Sequence, residues 1–115
     1  MATIFNNIER VAGAAESALV TITLMWDTTV SPVAKVEDED AMIQGSYGTS
    51  TDLDGNWSVA LTANDDITPV DSVYKITERI TQGNATTTYY VSVPNNATPT
   101  FWVGDILVDE PAWAV

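Results

Sequence analysis

Apolar residues along this chain recur at every second position rather than every third or fourth. In residues 20–26, Val20, Ile22, Leu24 and Trp26 fall on one side and Thr21 and Thr23 on the other, the alternation of a strand with one buried face. The same pattern sets Trp57, Val59 and Leu61 against Ser58 and Ala60. It sets Tyr74, Ile76 and Ile80 against Lys75, Thr77 and Arg79, and Tyr89, Val91 and Val93 against Tyr90 and Ser92. These are the β-branched and aromatic types that suit a pleated surface. Residues 101–108, "FWVGDILV", read as a more continuously apolar strand, with Gly104 as a bulge or a point of close backbone approach.

Turn formers punctuate these runs: Ser31-Pro32, Asp54-Gly55, residues 64–69, Gln82-Gly83-Asn84 and residues 94–99. Short strands at this density predict an all-β fold, a single antiparallel β-sandwich of about seven strands, rather than an α/β fold. Neither a long repeat nor a shift of composition divides the chain, so residues 1–115 read as one domain with a short N-terminal segment and an extended tail at 109–115. The N-terminal segment admits two readings. Ile8, Val11, Ala12 and Ala15 have helical spacing behind an Asn6 or Asn7 cap, whereas a strand over residues 3–10 followed by a loop through Gly13 avoids placing glycine inside a short helix; the strand is the preferred reading.

The stretch "TDLDGNWSVAL", residues 51–61, poses the main chemical question. A calcium loop of the EF-hand type needs acids at its first, third and fifth positions and glycine at its sixth. Asp52 and Asp54 meet the first two conditions, but Gly55 comes two places early and Asn56 stands where the third acid belongs. Asp54-Gly55 before an alternating run is instead the signature of a tight hairpin turn. Asp38 and Asp40, in the acidic run "VEDEDA", are further weak candidates for a divalent cation, set against a solvated loop tip held open by repulsion. "NDD", residues 64–66, reads as a turn.

Composition narrows the chemistry. The chain carries a formal net charge of -12, with Arg10, Lys35, Lys75 and Arg79 as its only basic side chains. It therefore repels phosphate backbones and anionic lipid, and neither nucleic acid nor a membrane is an expected partner. The absence of histidine and cysteine removes the usual general base near neutral pH, the usual zinc ligands and any disulfide. No spacing among the sixteen acids singles out a glycosidase pair, and a lysine-assisted nucleophile would need Lys35 or Lys75 buried beside it. No enzyme activity and no cofactor are expected. The longest apolar run, residues 18–26, is too short and too rich in threonine to span a bilayer, and the start of the chain lacks the basic and apolar blocks of a secretory leader. Synthesis and retention in a cytosol, or release by lysis, are the expectation. Three asparagine sequons, at Asn56, Asn84 and Asn96, would matter only in a eukaryotic secretory pathway.

The succession "VTITL", "SPVA", "GSYGTSTDLDGNWSVAL", "YKITERI", "TYYVSVP" and "WVGDILVDEP" resembles small prealbumin-like or carboxypeptidase-regulatory-like β-sandwiches, which belong with Ig-like folds. More narrowly, "LTANDDITPVDSVYKITERI" followed by "TTYYVSVP" is similar to modules of bacteriophage tail-fibre and minor tail proteins. The resemblance spans residues 20–111. It implies a virion structural protein, assembled in the host cytoplasm: a short fibre, an adaptor, or a decoration protein on head or tail. Its implied partners are other virion proteins, in a homo-oligomer or symmetric array. Aromatic anchors carry most interface energy, so Trp113 and Val115 in the tail, with Phe5 and Trp102, are the candidate interface residues, whereas Trp57 is expected in the core. The alternative is a carbohydrate- or cell-surface-binding adhesin, with Tyr47, Tyr90 or Trp102 as a stacking platform and calcium at the acidic loop.

Overall fold

Alternation of inward apolar and outward polar residues is realised in a computed structural model that describes residues 1–9, 13, 16–37, 39–43, 45–96 and 99–114. Among these are eleven strands: β1 (Ala2–Asn7), β2 (Ala18–Met25), β3 (Ala34–Val36), β4 (Met42–Ile43), β5 (Ser46–Ser50), β6 (Asn56–Leu61), β7 (Ile67–Thr68), β8 (Val73–Ile80), β9 (Thr86–Val91), β10 (Thr100–Trp102) and β11 (Leu107–Val108). The protein is all-β, and among the described residues every strand pair but one is antiparallel. β1 pairs in parallel with β10 on one side and antiparallel with β6 on the other.

Two layers face each other. A five-stranded sheet has the order β11-β9-β8-β2-β5 and a three-stranded sheet the order β10-β1-β6, while a second small sheet, β4-β3-β7, forms from the segments between them. Inward residues of both larger sheets share one core: Ala2, Ile4 and Trp57 from the small layer, Val20, Ile22, Leu24, Tyr74, Ile76 and Val91 from the large one. Burying each large aliphatic side chain of this set contributes roughly 1.5–3 kcal/mol.

The strands over residues 20–26, 57–61 and 74–80 occur with the expected inward phase, and the N-terminus is a strand, which removes the helical alternative at Asn6 and Asn7. Residues 10–12, 14 and 15, where the rest of that alternative falls, lie outside the described residues. Three expectations change. The count of about seven strands becomes eleven in three sheets. Residues 101–108 are not one strand: β10 ends at Trp102, a 3-10 turn (Val103–Asp105) follows, and β11 joins the opposite layer. Gly104 is thus no bulge, though close approach does occur, since a Cβ there would overlap the Trp102 ring.

The third change concerns Asp54-Gly55. The chain does reverse there, with Gly55 at φ 80° and its N–H donating to the Asp52 carbonyl at 3.1 Å. The arms do not form a hairpin beyond Asp52 and Asn56, because β5 pairs with β2 and β6 pairs with β1. β6 buries Trp57 from the smaller layer, whereas β5, with only Thr49 half-buried, forms the edge of the larger one. The hairpin between consecutive long strands lies elsewhere, between β8 and β9, where Gly83 and Asn84 both take positive φ and the Ile80 N–H donates to the Ala85 carbonyl.

The Asp52 carboxylate builds the layer-crossing turn, accepting the backbone N–H groups of Asp54 and Asn56 at 2.9 Å each through Oδ1. Asp52→Ala is therefore expected to lower unfolding free energy by about 1–2 kcal/mol, and Asp52→Asn, which keeps an acceptor oxygen, by less than half of that. Urea denaturation of the three proteins measures the difference; equal midpoints would show that the carboxylate is idle.

Candidate functional site

Strand β8 continues its inward series Tyr74, Ile76 with Glu78, so the alternation itself carries a carboxylate into the interior, where it is 6% exposed. Donors from the other layer meet it. Trp57 Nε1 donates to Glu78 Oε2 at 2.7 Å and Asn6 Nδ2 donates to the same oxygen at 2.8 Å. Asn6 and Trp57 are register partners on β1 and β6, and so present their side chains together. Asn6 Oδ1 in turn accepts Trp102 Nε1 at 3.1 Å. A continuous polar chain, Trp102 to Asn6 to Glu78 and back to Trp57, thus ties three strands of the small sheet to β8.

The Tyr89 hydroxyl reaches toward this cluster without hydrogen-bonding geometry to any member, and it is the one buried side-chain polar atom left without a partner among the described residues. Burial foremost, and then the Glu78 charge, push its pKa well above the usual tyrosine value, against a smaller lowering influence of Asn6. Tyr74 is raised as well, by burial, while its hydroxyl donates to the Thr62 carbonyl at 2.7 Å. A carboxylate clamped by two N–H donors and closed off from water is suited to fastening two sheets together, not to proton transfer with a substrate.

The cluster surfaces at Trp102. Phe5 and Trp102 are register partners across the parallel β1–β10 pair, 40% and 48% exposed. The Trp102 ring lies against the Gly104 backbone, which has room for it only because glycine lacks a side chain. Two of the expected interface residues are therefore brought together. Trp113 is half-buried in a 3-10 turn (Ala112–Ala114), closed by the Ala114 N–H on the Pro111 carbonyl at 2.9 Å, and no described hydrogen bond or strand pairing joins it to Phe5 and Trp102. Val115 lies outside the described residues. The three aromatics considered for a stacking platform do not share a face: Tyr47 is partnered with inward Ile22, Tyr90 with Lys75 on the opposite face of the same sheet, and Trp102 belongs to the other layer.

Among the described residues, no group of three or more acids gathers as a metal site. Asp52 is occupied by its turn, the Asp54 side chain is exposed, and Asp40 is exposed at the loop before β4. Asp38 lies outside the described residues. "NDD" forms a 3-10 turn whose acids hold Asn95: Asp65 accepts its backbone N–H and Asp66 its side-chain amide. Within it, buried Asn64 accepts the Val93 N–H at 2.6 Å and donates to Ser72 Oγ at 3.0 Å, a clamp that composition alone does not reveal. Two open grooves mark the surface, one of about 610 Å³ between β5 and β6, lined by Thr49, Ser50, Asp52 and Trp57, and another of about 660 Å³ along β9 and β11, lined by Tyr89, Tyr90, Leu107 and Glu110.

Compared with known protein families and with curated proteins, the sequence matches no family model and no individual protein.

Replacing Glu78 by alanine strands both donors and is expected to cost about 2–4 kcal/mol, while Glu78→Gln, which retains an acceptor, costs clearly less. Denaturant unfolding, with Trp57 fluorescence as the probe, reads both; equal losses would mean that the carboxylate acts only by filling space. Alkaline pH gives a second expectation. An unfolded chain ionises its tyrosines near pH 10, whereas folding keeps Tyr74 and Tyr89 protonated. The unfolded state then binds fewer protons than the folded state, so stability falls as pH rises above about 10. Ultraviolet titration should show these two phenols ionising together with unfolding; reversible ionisation of all four tyrosines near pH 10 with the fold intact would contradict it.

Proposed function

We propose that this chain is a small non-enzymatic structural module on the surface of a bacteriophage particle, a tail-fibre or adaptor part or a head or tail decoration protein, assembled in the host cytoplasm and bound to other virion proteins. The observation that carries this reading is the exposed Phe5–Trp102 pair, fixed from below by the Asn6–Glu78–Trp57 chain. An aromatic anchor held in place before contact loses little side-chain freedom on docking, which favours affinity. The sequence resemblance supplies the kind of particle. In fold terms, the seven strands β1, β2, β5, β6, β8, β9 and β10 of the two larger layers are read as an Ig-like or prealbumin-like sandwich, with β11 and the second small sheet as additions. Repeated crossing between layers, from β1 to β2, β5 to β6, β6 to β8 and β9 to β10, supports that reading.

A carbohydrate- or cell-surface-binding adhesin is the second reading, favoured by the nearly half-exposed Trp102 indole beside Phe5. The two separate by experiment. On purified particles, Trp102→Ala with an intact fold is expected to lower occupancy by roughly tenfold or more, the usual cost of one anchoring indole. Removing residues 111–115 tests the tail in the same assay. Unchanged occupancy in both variants, with glycan-array binding that is lost in Trp102→Ala, would decide for the adhesin, and a chelator arm shows whether calcium assists.

A further inference from the structure

Among the described residues, no strand pairs with the outer edge of β5. The ladder to β2 determines what that edge offers. The Thr51 N–H donates to the Ala18 carbonyl at 3.1 Å and the Leu24 N–H to the Gly45 carbonyl at 3.4 Å. Positions 45, 47, 49 and 51 therefore turn their backbone groups toward β2, and the alternate residues Ser46, Gly48 and Ser50 turn theirs away. Such a row of free N–H and C=O groups is complementary to another strand. Protein edges are commonly blunted by lysine, proline, a bulge or an inward charge. β5 has none of these: its five residues, "SYGTS", pair with β2 in unbroken register, and the whole stretch 41–51 is free of charge in a chain of net -12.

We infer that β5 is a self-pairing edge, at which a second copy of this chain docks antiparallel about a two-fold axis at Gly48 and joins two five-stranded sheets into one. Geometry and charge both select this occupant. A two-fold at Gly48 sets Ser46 opposite Ser50 of the second copy and Gly48 opposite itself, so outward-turned groups meet outward-turned groups in narrow pairs that exchange two hydrogen bonds each. Tyr47, 53% exposed, gains Thr49 of the second copy as its neighbour. The nearest acids on either side, Asp40 and Asp52, fall beyond the paired segment. Three other open edges lack that freedom: β11 runs into Asp109 and Glu110, β4 follows Asp40, and β7 lies between Asp66 and Asp71, so self-pairing there brings like charges together. Of the two edges of the smaller layer, β10 is only three residues long and follows Pro99, and β6 is uncharged, so variants on β5 itself are what separate the two neutral edges.

This inference names the interface of the symmetric assembly expected of a virion part, and rests on that reading only in expecting copies to meet. Its test uses the purified chain alone, so its failure leaves the particle assays standing. Sedimentation velocity from micromolar to millimolar concentration is expected to show a monomer–dimer equilibrium that tightens with added salt, because two copies of charge -12 repel. Gly48→Pro removes one outward donor while sparing the ladder to β2, and Ser50→Lys puts a charge at the seam from the exposed outer face. Each should weaken association at least tenfold with an unchanged circular dichroism spectrum. Should Gly48→Pro fail to fold, Ser50→Lys and cross-linking decide. The chain has no cysteine, so Gly48→Cys reports its own contact and should form a disulfide dimer far faster than Leu53→Cys at the exposed turn tip. A monomer at every concentration overturns the inference. So does a dimer indifferent to both edge variants, or equal cross-linking of the two cysteines.

Discussion

Glu78 occupies a place that a hydrophobic side chain would otherwise fill, and taking its charge out of water costs several kcal/mol unless donors wait for it. Two do, on strands of the opposite layer. That requirement constrains much of the remaining structure. Asn6 and Trp57 can reach one oxygen together only because β1 and β6 pair in the register that sets them side by side. A slip of one residue in either strand would turn a donor to the outside and leave the carboxylate unsatisfied. The buried charge thus penalises wrong alignments of the layers more than it strengthens the right one.

The tether also links interior to surface. Asn6 uses its amide nitrogen on Glu78 and its oxygen on Trp102, so the orientation of an exposed indole is coupled to a buried carboxylate. Gly104 provides the second support, because the turn that carries the chain from β10 across to β11 leaves its backbone bare beneath the ring. A surface aromatic held at both its N–H and its ring is a different object from one that merely happens to be wet.

Much of this was legible in the sequence where alternation was clean. The inward phases of β2, β6 and β8 follow from periodicity, because one residue in two must face the core. Asp54-Gly55 marks a reversal for the local reason that Gly55 takes positive φ and Asp52 caps the loop. Local chemistry does not determine which layer each arm joins; that depends on β2 and β1 competing for β5 and β6, contacts distant in sequence. The same holds for "FWVGDILV", where continuous apolarity hid a crossing between layers. Glu78 was available to inspection, since it continues the inward series of Tyr74 and Ile76, but its donors lie 21 and 72 positions away. Asn64 shows no periodic signal at all, because its role depends on Val93 arriving two residues beyond the end of β9.

The acidity of the chain has a local explanation in several places. Asp27 accepts the backbone N–H and the hydroxyl of Thr29, Asp52 accepts two backbone N–H groups, Asp65 and Asp66 hold Asn95, and Glu78 holds two side-chain donors. A short carboxylate at a bend can satisfy backbone donors that a strand ladder would otherwise take, which is why aspartate is favoured where strands are short and turns are many. The aspartates among them sit at three separate turns, whereas Glu78 lies within β8 and joins the two layers. Their sum is a large negative charge without a gathered ligand field among the described residues, and both surfaces proposed for association are neutral: the aromatic pair on β1 and β10, and the uncharged edge of β5.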